Sequence, residues 1–181
     1  MKKTLLNCLT ATLLTWTVGI SYSQQANANS NVGYSDEELV SSAGRKTFTG
    51  SSASKAPAEI KKAVKSFSRD YGYVANAKWL TLDHGFSVVY FTVDGVKTRL
   101  LYDKKGRCES IIRYYFEDKL PASVRHIVKT MFYDFNIFHV IEPTINGVTS
   151  YLVKMEDKSS WKTVKVIDGE VEVVEEYSKL K

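Results

Sequence analysis

Little in this chain is chemically reactive. Its 181 residues include only two cysteines, three histidines and three prolines. Cys8 lies in an N-terminal segment expected to be removed, which leaves Cys108 alone and excludes an intramolecular disulfide from the mature chain. His84, His126 and His139 stand in a turn, beside a helical apolar stripe and at a strand start. None is at metal-ligand spacing from another histidine or a carboxylate. There is no Gly-rich phosphate loop, HExxH, GxSxG or CxxC motif. These absences predict no catalytic residue, no metal and no cofactor. Charge of one sign is also scarce. The net charge of +5 falls to +3 once Lys2 and Lys3 are lost, too weak an excess to point to nucleic acid.

The longest apolar run, from Leu5 to Ile20, is short for a membrane span and carries polar Asn7, Thr10, Thr12 and Thr15. It follows the basic pair Lys2-Lys3 and precedes small residues at Ser21 and Ser23, the pattern of a secretory signal peptide over 1–23 with cleavage after Ser23. An uncleaved anchor is the alternative that the polar residues disfavour. Cys8 sits ahead of most of the apolar run, so it is misplaced for lipidation. The expected product is periplasmic or secreted, with no stable membrane insertion after cleavage.

Composition changes near residue 55. Of the 22 aromatic residues in the chain, only Tyr34 and Phe48 fall between Gln24 and Lys55, a Ser-, Asn-, Ala- and Gly-rich stretch that reads as a flexible polar leader. Within it, Ser35-Asp36-Glu37-Glu38-Leu39-Val40 resembles a capped helical turn too short to be stable alone. The folded domain is expected over 56–181.

That domain repeats itself at an offset of 64. Pro57 and Pro121 each open a helical pattern, and Ile60, Ala63, Val64, Phe67 and Tyr71 match Val124, Ile127, Val128, Met131 and Phe135 along one apolar stripe. Proline suits a first helical position, and Gly72 and Asn136 stand where a left-handed terminating residue belongs. Alternating patterns then predict strands at 75–82, 86–93, 96–102 and 107–116, and again at 138–145, 148–155, 161–167 and 170–177. Asp94-Gly95, Asn146-Gly147 and Asp168-Gly169 are the hairpin turns. The expected fold is α+β: two tandem units, 56–120 and 121–181, each one helix plus a four-strand antiparallel meander, with both helices packed on one face of a sheet.

The order of helix, Lys78-Trp79, Phe86-Ser87-Val88-Val89-Tyr90-Phe91, Leu100-Leu101-Tyr102-Asp103-Lys104-Lys105-Gly106 and Leu120-Pro121-Ala122-Ser123-Val124 resembles the PepSY-like, β-lactamase-inhibitor-like (BLIP-like) domains of exported bacterial proteins. The resemblance spans 56–181. It implies helices on one side of a sheet whose concave other face meets a partner, and related PepSY domains occur in peptidase propeptides that restrain peptidases. The disulfides of the β-lactamase inhibitor are missing, so inhibition of a β-lactamase does not carry over.

If Val96, Thr98, Leu100 and Tyr102 point to the helices, Lys97, Arg99 and Leu101 point away. The same alternation turns Arg107, Glu109, Ile111, Arg113 and Tyr115 outward, opposite Tyr114 and a buried Cys108. Residues 56–120 carry a net +4 and residues 121–181 a net −1, so this face should be basic at one end and acidic at the other. Glu156-Asp157 and Glu175-Glu176 read as solvated carboxylates rather than an acid and base pair. Trp79 is expected in the core, and Trp161 partly exposed beside a polar turn.

The chain thus reads as a noncatalytic binding or inhibitory module. It would engage an unidentified protein partner, such as a peptidase or another envelope enzyme, through Lys97, Arg99, Arg113, Tyr115 and Trp161. The other reading is a small-ligand domain with an apolar pocket lined by Tyr71, Tyr90, Tyr102 and Phe135.

Overall fold

The computed structural model describes residues 47–180. The signal peptide, its cleavage site, Cys8 and the Ser35–Val40 cluster therefore lie outside the described residues. Ten strands form one antiparallel sheet: β1 (Thr47–Thr49), β2 (Lys78–Thr81), β3 (Ser87–Val93), β4 (Val96–Tyr102), β5 (Cys108–Tyr115), β6 (Asn136–Ile145), β7 (Val148–Thr149), β8 (Tyr151–Glu156), β9 (Ser160–Ile167) and β10 (Glu170–Ser178). They lie in chain order across the sheet, except that the two-residue β7 pairs with β6 off the main path. Helix α1 (Lys61–Tyr71) precedes β2, and α2 (Ala122–Met131) precedes β6.

The hairpins follow from their turn residues. At Asp94-Gly95 both residues have positive φ, 51° and 79°, the twist that joins β3 to β4 without splaying them. Gly106 is required for a second reason. A Cβ there would lie 2.8 Å from the Lys62 carbonyl, so only glycine lets this turn touch α1.

The sheet begins earlier than composition implied. Thr47–Thr49 lies inside the stretch expected to be a leader to residue 55, yet it pairs with β2. Phe48 packs on the core, the Trp79 indole N–H donates to the Gly50 carbonyl at 2.8 Å, and the Val74 amide donates to Ser51 Oγ at 3.1 Å. Three short polar-flanked residues carry no alternation to read, and only their partners make them a strand.

The helices end differently from one another. Gly72, at φ 69°, terminates α1 as expected. Asn136 does not terminate α2: it is the first residue of β6, and α2 stops at Met131, where Lys129 Nζ donates to the Phe135 carbonyl at 2.6 Å. The prolines do not occupy first helical positions either. Pro121 is extended and caps α2 by accepting the Arg125 amide, while Pro57 opens a turn before α1. Met131, matched in sequence to the fully buried Phe67, is exposed.

Both helices cover the same face. Between α1 and the sheet, Phe67 and Tyr71 of the helix meet Trp79, Phe91 and Tyr102; ring centroids of Phe67 stand 5.2 Å from Phe91 and 5.5 Å from Trp79, edge to face. Under α2 the core is largely aliphatic: Val124, Val128, Ile137, Val140, Val153, Met155, Val164 and Val166, closed by Leu120 and Tyr115. Fully burying a side chain such as Val128 or Phe67 contributes about 1.5–3 kcal/mol, and these two clusters hold the domain together without a disulfide.

Candidate functional site

The face of the sheet turned away from the helices is fixed by register, because residues directly opposite each other on neighbouring strands share a face. One row runs Lys78, Tyr90, Arg99, Ile112 and Pro143 across β2 to β6. The next runs Thr92, Lys97, Tyr114, Ile141, Leu152, Lys165 and Glu172 across β3 to β10. A third runs His139, Lys154, Thr163 and Glu175. Tyr90, Ile112, Tyr114, Ile141 and Leu152 are all half-buried and belong to neither core. They form an apolar band on an otherwise helix-free surface.

Lys97 and Arg99 are on this open face as the alternation of β4 predicted. Arg113 and Tyr115 are not, and this corrects their assignment. Tyr102 pairs with Cys108 but Leu101 pairs with Ser110, so Glu109 is an extra residue in β5. This bulge shifts the alternation by one, turning every later odd residue of β5 toward the helices. Tyr115 is only 4% exposed and belongs to the α2 core. Its hydroxyl donates to Glu142 Oε2 at 2.6 Å, and Arg113 Nη1 binds Glu142 Oε1 at 2.7 Å. Burial first, then the Glu142 carboxylate, pushes the Tyr115 hydroxyl well above its usual pKa. Ile111 likewise packs against the α1 core.

Cys108 also departs from expectation: it is exposed rather than buried. Partial desolvation raises its pKa, which makes it a poor nucleophile at neutral pH. Trp161 is on the open face, 42% exposed, at the far end from Arg99. Its indole N–H donates to Glu156 at 2.8 Å, and Lys179 Nζ stands 4.9 Å above its ring while binding the same carboxylate. Glu156 is held below the usual carboxylate range, chiefly by that Lys179 hydrogen bond. Asp157 accepts the Ser159 and Ser160 amides, so this acidic pair shapes a turn.

The face also holds what alternation alone missed. His139 sits in β6 after a second bulge at Phe138, with its ring 6.2 Å from Tyr114 and 6.5 Å from Phe116. Burial, then Lys154 and Lys97, lower its pKa and favour the neutral imidazole. Lys78, Lys154 and Lys165 complete a basic surround. The Ile111-Ile112 and Tyr114-Tyr115 doublets were the available signal, since apolar pairs on adjacent positions mean that both faces of β5 have something to cover.

The four residues named for an apolar pocket do not line one. Tyr71 and Tyr102 belong to the α1 side, Phe135 packs on the α2 core, and Tyr90 is on the opposite face. Clefts of about 450 and 500 Å³ occur elsewhere, one beside Ser51, Ser68 and Tyr73 and one beside His84, Asp103 and Arg107.

No protein-family model matches the chain, and no curated protein matches it. Solved structures do. A BLIP-like protein from Bacteroides fragilis superposes with a TM-score of 0.51 at 12% identity, over 69% of this chain and 89% of that one. The fold is BLIP-like. DUF2874 family proteins share it: one from Bacteroides uniformis at 14% identity and TM-score 0.50, over 68% and 89% of the two chains, and one from Bacteroides ovatus at 11% and 0.51, over 68% and 88%. At such identities the likeness concerns architecture, and the BLIP-like sheet here carries its own set of side chains on its open face. No described helix is long and apolar enough to cross a membrane.

Proposed function

We propose that this protein is an exported, noncatalytic binding or inhibitory module that engages a protein partner through the open face of its sheet. The observation that carries this reading is the band Tyr90, Ile112, Tyr114, Ile141 and Leu152, half-buried on a face that neither helix covers. Contiguous apolar surface of this kind is the usual mark of a docking site, and aromatic and Arg residues are the favoured anchors. Lys97, Arg99 and Trp161 remain in the binding set; Arg113 and Tyr115 act from beneath by holding β5 against β6. A peptidase or another envelope enzyme suits the PepSY-like reading, with units 56–120 and 121–181 as tandem repeats, a signal peptide over 1–23 and a periplasmic or secreted destination.

Site-specific photocrosslinking tests this. A photoreactive phenylalanine at Ile112 or Leu152 should yield a discrete protein adduct in intact cells, and one at His126, on the exposed side of α2, should not. Equal labelling from both sides, or none from Ile112 and Leu152, would remove the open face from the mechanism.

A further inference from the structure

Several cations of the domain are held in ion pairs: Arg113 with Glu142, Arg125 with Glu117, Lys162 with Glu176 and Lys179 with Glu156. On the open face, Lys78 has Tyr90 opposite it, Arg99 has Tyr90 and Ile112, Lys97 has Thr92 and Tyr114, and Lys154 has His139 and Thr163. None of these four takes part in an ion pair among the described residues, and the half-buried apolar band runs between them.

We infer that this part of the open face docks an acidic segment of a partner protein, one or more carboxylates meeting Lys97, Arg99 and Lys154 while an apolar or aromatic side chain seats against Ile112, Tyr114, Ile141 and Leu152. The inference rests on the docking reading above and adds the chemistry of the partner. Cations ranged around an apolar centre without carboxylate partners gain most from an anion that also excludes water. Lys154 is the direct cross-strand neighbour of His139, and with Lys97 it adds to the burial that lowers the His139 pKa. The four strand steps from β3 to β8 span about 19 Å, room for an extended segment of about six residues. A phosphodiester chain fits less well. Its unbroken charge would meet Glu156, Glu172 and Glu175 at the β8–β10 end.

The test is an NMR titration of the full chain with a synthetic Glu–Tyr copolymer, beside a Lys–Tyr copolymer, an oligothymidylate and inorganic phosphate as separate probes. Saturable binding of the Glu–Tyr copolymer alone is expected, with amide shifts contiguous over Lys97, Ile112, Tyr114, His139 and Lys154. Lys97→Glu with Lys154→Glu should weaken it at least tenfold at low salt, whereas Lys61→Glu with Lys65→Glu on α1 should leave it unchanged. Preference for the oligothymidylate or the Lys–Tyr copolymer, undiminished binding by the open-face variant, or scattered shifts would overturn the inference. If the Ile112 photocrosslink still forms in that event, docking stands and only the acidic character of the partner falls; if the crosslink fails too, both fall.

Discussion

The two helix-side cores do the same work with different materials. Between α1 and the sheet, a few large rings, Phe67, Trp79, Phe91 and Tyr102, fill the space, and the edge of the cluster is closed by the 47–51 segment, hydrogen-bonded through Trp79 and Ser51. Beneath α2, valines dominate and no added strand is needed. Rings leave polar tips and irregular edges to be satisfied, whereas β-branched side chains tile a pleated surface directly. The aromatic half is therefore the one with an extra strand, an indole hydrogen bond and a buried hydroxyl, Tyr102, that has no hydrogen-bond partner among the described residues.

The sharpest way to break this comparison is truncation on both sides. Phe67→Ala should cost about 4 kcal/mol and Val128→Ala about 2 kcal/mol, read from denaturant unfolding. Equal losses would mean that the halves do not differ in how they depend on single side chains. Glu142→Ala acts at the seam where β5 meets β6 and strands both Arg113 and Tyr115. About 2 kcal/mol is expected, discounted because Arg113 is partly solvated. Tyr115→Phe in that background should add little, a coupling that a double-mutant cycle would detect.

Tyr102→Phe goes the other way. Deleting an unpartnered buried hydroxyl should stabilise the protein by about 1 kcal/mol, seen as a raised melting temperature. A lower melting temperature would show that the hydroxyl is satisfied by water. The smallest effect concerns pH. Because the fold lowers the His139 pKa, the unfolded chain binds more protons between the folded value and about 6.5. Stability should thus be full above that range and decline as pH falls through it, and His139→Gln should flatten the slope. Titration of the His139 ring by NMR checks the direction independently.

Much of the fold was legible. The strands at 96–102 and 170–177, the Asp-Gly and Asn-Gly turns and the face of β4 all follow from alternation and turn chemistry. The candidate site was half legible, and the reason is local. Alternation counts residues, while a bulge inserts one without a sequence mark, so Arg113 and Tyr115 were assigned to the wrong face and Tyr114 was lost from the right one. The strand at Thr47–Thr49 was missed because its existence depends on a distant partner strand, Phe48 lying opposite Trp79 and Thr49 opposite Lys78. Cys108 was expected inside because it opens an alternating stretch, yet it stands exposed at the first residue of its strand.

The two borders of the sheet carry a consequence for the chain's company with itself. Among the described residues β1 borders one side of the sheet with three residues, and β10 borders the other with nine, Val171, Val173 and Val174 among them. Four glutamates, Glu170, Glu172, Glu175 and Glu176, and a bulge at Val174 occupy that long border. In a second copy laid antiparallel along it, glutamates would be brought against glutamates, so the strand most able to template a fibre is the one that repels its own likeness. High salt, which screens those charges, would lower this barrier while leaving the hydrogen-bonding border intact, making high ionic strength the condition under which polymerisation of this protein is to be feared.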